Sequence, residues 1–202
     1  MIDPCVTLKA AFVALACSYA TFSAAQEAES APVDIPSDAP DVLSEDPQVL
    51  LDMLASEADP AEADRLANEV LERWSRSGSP TIDVLMRRAA DAMSREDWSR
   101  AIAHLTAATD HAPGFAEAWN KRAEAFFMAE ETGMALADIE QTLILEPRHF
   151  GALAGLGIIL EQLGEDRAAL NAFRRAQEIY PAEQNVSGAV ERLEAVTGGR
   201  TL

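Results

Sequence analysis

The sequence predicts an all-α protein, an α-solenoid of antiparallel helix pairs with a C-terminal capping helix. Three observations predict it. Alanine recurs at Ala67, Ala101, Ala135 and Ala169, each 34 residues after the last. Four positions on from each comes a larger apolar residue: Leu71, Leu105, Ile139 and Phe173. Pro113, Pro147 and Pro181 keep the same interval, with Pro80 one residue out of step. A fixed period of this length marks an array of small units, each burying its apolar side against the next.

The last unit shows the local chemistry most plainly. Its first helix is expected over roughly His149 to Leu163, with Leu153, Leu156, Gly157 and Leu160 on one face. A glycine inside a helix costs about 1 kcal/mol, which makes sense at Gly157 if another helix crosses there. Gly164-Glu165-Asp166 makes the turn. Glycine takes the left-handed cap, and the acids suit the next helix N-terminus. The second helix, roughly Glu165 to Ile179, brings Ala169, Phe173 and Ala176 to one face, and Pro181 ends it.

This pattern resembles the tetratricopeptide repeat. The match in the last unit is Leu153, Leu156, Gly157, Leu160, Ala169, Phe173, Ala176 and Pro181. In the middle unit it is Trp119, Ala123, Phe126, Ala135, Ile139 and Pro147, with Arg122 and Thr142 where Leu and Ala are usual. In the earlier unit it is Leu85, Ala89, Ala101, Leu105, Ala108 and Pro113, with Ala92 in an aromatic position. The resemblance spans 81–181 as three repeats. It extends more weakly over a degenerate leading helix pair at 48–80, where Asp59 and Pro60 start a helix carrying Leu66, Ala67, Val70, Leu71 and Trp74. Trp74 stands where later units have Ala108, Thr142 and Ala176, so its packing must differ. Residues 182–202 read as a capping helix and tail, with Val186, Ala189, Val190, Leu193 and Val196 inward and Glu183, Glu191, Arg192 and Glu194 outward.

The 202-residue chain begins with a stretch outside the repeats. Met1 to Ala25 reads as a secretory signal: Lys9, an apolar run from Ala10, then small residues at Ser23-Ala24-Ala25. Cleavage there removes both cysteines, Cys5 and Cys17. A rival reading lipidates Cys17, although Ala14 stands where a lipoprotein signal favours Leu. Residues 26–47 form an acidic, proline-rich linker, with no basic residue between Lys9 and Arg65 and too little apolar density to repay ordering. The expected location is therefore across the inner membrane of a bacterium, in the periplasm, with no membrane span in the mature chain.

Composition and motifs narrow the function. A formal net charge of −18 argues against nucleic-acid binding, which needs clustered Lys and Arg. His104, His111 and His149 show no metal-binding spacing and read as surface or helix-end residues. Gly155-Leu156-Gly157 lies inside a helix and lacks the Gly-Lys-Ser/Thr of a phosphate loop. No nucleophile set is present, so neither enzymatic activity nor a cofactor is expected. The family resemblance implies a protein–protein interaction module, with first helices lining a concave groove for a partner's peptide or helix. By that register the groove residues are Met86, Arg87, Met93, Asn120, Lys121, Glu124, Phe127, Met128, Ile158 and Gln162. Asn120 is expected to bond a partner's backbone. The Lys/Asn/Arg clamp of chaperone-binding members would need Met86, Ala90, Lys121, Gly151 and Gly155, of which only Lys121 is basic. The resemblance leaves two roles open: an envelope adaptor, or a lipid-anchored subunit of an envelope assembly.

Overall fold

Each apolar stripe with helical spacing forms a helix. The computed structural model describes residues 46–198; the signal segment, both cysteines and the linker as far as residue 45 lie outside them. Among the described residues there are nine helices and no strand. They are α1 (Pro47–Ser56), α2 (Pro60–Trp74), α3 (Pro80–Met93), α4 (Trp98–His111), α5 (Ala116–Met128), α6 (Thr132–Leu145), α7 (Phe150–Gln162), α8 (Asp166–Ile179) and α9 (Gln184–Gly198). The helices α3–α4, α5–α6 and α7–α8 form three hairpins, and α9 packs on α8.

The repeat is written in the backbone as much as in the side chains. Each hairpin turns on a residue with positive φ: Glu96 (58°), Glu130 (66°) and Gly164 (77°). The following amide then reaches back across the turn, from Asp97 to Ala92 O, Glu131 to Phe126 O and Glu165 to Leu160 O, each at 2.9 Å. This satisfies a helix-end carbonyl that would otherwise be orphaned. Glycine was expected only at Gly164. The two glutamates take the same conformation at about 1–2 kcal/mol each, so the geometry is imposed by the packed hairpin.

Small residues set how closely the helices approach. Ala101, Ala135 and Ala169 are fully buried. A Cβ on Gly157 would lie 2.8 Å from the Phe173 ring, below any tolerable contact, so the helix crossing expected at this glycine is present between α7 and α8.

The two departures from the repeat pattern in the middle unit belong to one polar cluster. Arg122 donates from Nε and Nη2 to Asp138 at 2.7 and 2.8 Å, and from Nη1 to Thr109 Oγ1 at 2.8 Å. Its guanidinium carbon lies 4.7 Å from the Trp119 ring centre. Thr142 Oγ1 donates to the Asp138 carbonyl at 2.8 Å. Asp138 is buried, and Arg122 neutralises it where leucine could not.

The C-terminal helix buries Val186, Ala189, Val190 and Leu193 against α8. Two expectations change here. Val196 is exposed, and Glu183 is half-buried, its carboxylate accepting the Asn185 N–H at 3.0 Å just before α9 begins.

The proline positions separate into two kinds. Pro113, Pro147 and Pro181 lie in the connections after α4, α6 and α8. Pro80 instead opens α3, which explains why it is out of step. Pro47, placed in the linker by the sequence reading, likewise opens α1, capped by Asp46. Both positions suit a residue with fixed φ and no N–H to lose. Asp59 caps α2 by accepting the Ala61 N–H at 2.9 Å.

Two sets of substitutions test this packing by urea denaturation. Gly157→Leu should cost about 1–3 kcal/mol or more by overpacking, while Glu191→Gln, on the exposed side of α9, should stay within about 0.5 kcal/mol of wild type. Arg122→Leu alone should cost about 3–5 kcal/mol, because Asp138 is left buried without a partner; adding Asp138→Ala should recover most of that loss.

Candidate functional site

The first helices α3, α5 and α7 present one shared face, and the structure divides it in two. Between α3 and α5 the face is open. Met86, Arg87, Ala90 and Met93 from α3 line a cavity of about 360 Å³ together with Glu117 and Lys121 from α5, and Ser75 and Arg76 close one end. Over α5 and α7 the face is covered. Phe127 is 2% exposed and Ile158 6%, and both belong to one continuous apolar cluster with Leu50, Leu51, Leu54, Leu66 and Val70 of α1 and α2.

The leading pair is therefore not a fourth unit stacked on the end of the array. Its hairpin lacks the repeat's left-handed turn: Glu57, after α1, is extended. Its partners lie far along the chain. Trp74 stacks on His149 at 4.3 Å and tilts against Phe150 at 5.4 Å. The Tyr180 hydroxyl donates to Asp64, Arg148 donates to Asp52 at 2.7 Å, and Gln48 Nε2 donates to Glu146 at 3.0 Å. The aromatic ring at position 74 sends α2 to this site, where it has room that a stacked repeat would not offer.

His149 anchors the covered half. It was expected at a surface or helix end; it does cap α7, but it is completely buried. Its Nδ1 accepts the Ala152 N–H at 3.1 Å, so the neutral ring carries its proton on Nε2 and donates to Glu117 Oε2 at 3.0 Å. The two bonds fix the ring plane on which Trp74 lies.

The ten residues read as groove-lining thus fall into different surroundings. Met86, Arg87, Met93 and Lys121 line the open cavity. Glu124, Phe127 and Ile158 are buried, Met128 is half-buried and Gln162 is exposed at the end of α7. Asn120 is half-buried, and its Nδ2 donates to Glu117 at 3.2 Å. Lys121 donates to Glu124 at 3.2 Å and sits 3.9 Å from Glu117. The residues that seat the leading pair, Asp52, Asp64, Arg148, His149 and Tyr180, were not visible as a set, since each looks like an ordinary surface or turn residue. Only Trp74, bulky where its register equivalents are small, marked the place.

Comparison with known proteins bears on this architecture. A model of the tetratricopeptide repeat matches residues 86–133 and 130–183. A TPR repeat-containing protein from Rhizobium etli is 39% identical over 163 residues, covering 78% of this chain and 80% of that protein. This chain belongs to the tetratricopeptide repeat family. Among solved structures, the first TPR domain of Spaghetti (RPAP3), bound to an HSP90 peptide, is similar to 59% of the chain and 95% of its own length, with a TM-score of 0.57 at 18% identity. MamA is similar over 74% of this chain and 85% of its own, with a TM-score of 0.56 at 21% identity. Both share the repeat fold.

Within this repeat protein the buried carboxylates on α5 are tuned in opposite directions. Burial pushes the Glu117 carboxyl up. The hydrogen bond from His149, the charge of Lys121 and the Asn120 amide outweigh it, and hold the group below its ordinary value of 4.5. For Glu124 burial prevails: the charge and hydrogen bond of Lys121 offset it only in part, the Glu117 charge adds to it, and the carboxyl is pushed up. Among the described residues no group of three or more His, Cys, Asp or Glu is placed to hold a metal ion, and no helix is long and apolar enough to cross a membrane.

The signs give a test. A depressed carboxyl stabilises the fold above pH 4.5, and this contribution is lost as pH falls through the lowered value. Glu117→Gln should therefore lose about 1–3 kcal/mol at pH 7, with the gap to wild type closing below pH 4.5. A raised carboxyl favours the fold below pH 4.5, and this is lost as pH rises through the raised value. Glu124→Gln should accordingly be more stable than wild type at pH 7 and equal to it in acid. Thermal melts across pH 3.5–7.5 (roughly the range that spans both carboxyls) read both differences.

Proposed function

We propose that this protein is a non-catalytic interaction module of the bacterial envelope, an adaptor that holds a partner's peptide or helix on the face shared by α3, α5 and α7. The observation that carries this reading is the open cavity between α3 and α5. Its floor is methionine and alanine, suited to adaptable apolar contact, and Arg87 on its rim is exposed and makes no ion pair among the described residues. A short apolar segment bearing a carboxylate fits that chemistry. The peptide-bound state of the Spaghetti TPR domain supports such use of the face. The chaperone-type clamp is a different chemistry: of its five register positions only Lys121 is basic here, and Lys121 is already engaged by Glu124 and Glu117.

An exported location follows from the signal-like segment Met1–Ala25, with Cys17 acylation as the alternative that would make the protein a lipid-anchored subunit of an envelope assembly. Intact mass of the protein from cells separates the two, since a chain beginning at Gln26 carries no Cys17. For partner binding, Arg87→Glu combined with Met93→Ala alters the cavity at an exposed and a half-buried position and leaves the apolar cluster beneath α1–α2 alone. Pull-down from envelope extracts with this variant should recover at least about 10-fold less of a partner held by wild type, the equivalent of 1.4 kcal/mol. Equal recovery would remove the cavity from the binding surface.

A further inference from the structure

The pair α1–α2 covers half of the face that the proposed function assigns to partners, and it does so without being part of the repeat array. The array has its own C-terminal cover in α9. At the other end, α2 continues into α3 through Ser75–Ser79, where Gly78 adopts φ +73°, and the pair's aromatic and polar partners lie at the start of α7 and in the connections after α6 and α8, with α1 packed on α8, instead of on α3. We propose that α1–α2 is a latch: an intramolecular occupant of the α5–α7 face that opens as a unit about the Ser75–Ser79 connection, and whose place is taken by an amphipathic helical segment of a partner. This rests on the reading of that face as the binding surface and adds its regulation.

Three features distinguish a latch from an ordinary core element. First, the polar contacts that align it sit at the rim. Asp52, paired with Arg148, is 74% exposed, and Gln48 is exposed as well, so these pairs contribute little holding energy while they fix the register. Second, the seat is imperfect. Trp74 Nε1 is buried and has no hydrogen-bond partner, a cost that closing the latch incurs and opening it relieves. Third, the two sides are complementary in a way a partner helix can reproduce. The array offers the His149 ring, the Arg148 guanidinium and the Tyr180 hydroxyl; the latch answers with Trp74, Asp52 and Asp64 around a leucine stripe. A displacing segment therefore needs an apolar helical face, an aromatic side chain and flanking carboxylates. The cavity beside Arg87 stays open in the closed form, so a partner can engage there first and reach the covered half when the latch lifts.

Native-state hydrogen exchange on the full chain tests this without any partner. Amides of α1 and α2 should exchange through an opening of their own, with protection at least about 100-fold below that of α5–α8. Exchange of α1–α2 only at the rate of global unfolding would overturn the latch. Leu54→Ala with Trp74→Ala provides the second arm. It should lower protection in α1–α2 further while leaving α5–α8 within a few-fold of wild type. It should also bind a labelled peptide of residues 46–76 at least about 10-fold more tightly than wild type does, because the face is vacated more often. Equal loss of protection throughout the array, or no peptide binding once α1–α2 is open, would overturn the proposal. Failure of the cavity-based function would show in the Arg87→Glu pull-down, and these measurements do not depend on it.

Discussion

How near one helix can come to the next is the constraint on which the rest of this molecule depends. At Gly157 the Phe173 ring lies where a side chain would begin, and Ala101, Ala135 and Ala169 are fully buried at the matching position of each second helix. Close approach at these points sets the angle of each hairpin. It also holds Glu96 and Glu130 in a left-handed turn that their side chains do not favour. Once three hairpins share that geometry, their first helices must present a common face, and their second helices must carry the spacing alanines. The face is thus a product of core packing, and its chemistry is free to vary.

That freedom has been used in two ways along the same face. Over α3 and α5 it carries methionines, Arg87 and a lysine already bound to two glutamates. Over α5 and α7 it is apolar enough to hold the leading pair, and His149 is built into it as an aromatic platform. The platform is rigid because both ring nitrogens are engaged, one by the α7 backbone and the other by Glu117. Glu117 in turn remains ionised despite its burial because His149, Lys121 and Asn120 surround it. Glu124, with only Lys121 in its favour and Glu117 nearby, bears the cost of the same burial. The site is therefore a graded surface, with polar support below an apolar contact.

What could be read from residues alone follows the strength of each physical signal. Gly164, Gly157, the alanine series and the Asp59 cap were legible because each has a steric or hydrogen-bonding reason that acts within a few residues. Val196 was misplaced because a helical stripe says which side is apolar and not how much of that side a neighbour covers, and Glu183 because it lies just before the helix, outside the stripe. Arg122 and Thr142 looked like departures from a pattern; their meaning depended on Asp138, 16 and 4 residues away, which only packing brings to them. His149 does stand at a helix end, but its burial was not legible, because nothing adjacent in sequence announces Trp74 or Glu117 as its neighbours.

By itself the sequence determined that this is an array of helical hairpins, that the last of them turns at Gly164, and which small residues recur between helices, because these follow from periodicity and local sterics. Tertiary structure decided where the leading pair goes. Its leucines required burial against some apolar surface, and the chain offered two, the end of α3–α4 and the face of α5–α7. The second won because Trp74 has an aromatic platform only there, and because Asp52 and Asp64 find Arg148 and Tyr180 only there. Contacts between residues about 70 to 120 positions apart leave no periodic trace, so no reading of local pattern could have chosen between the two surfaces.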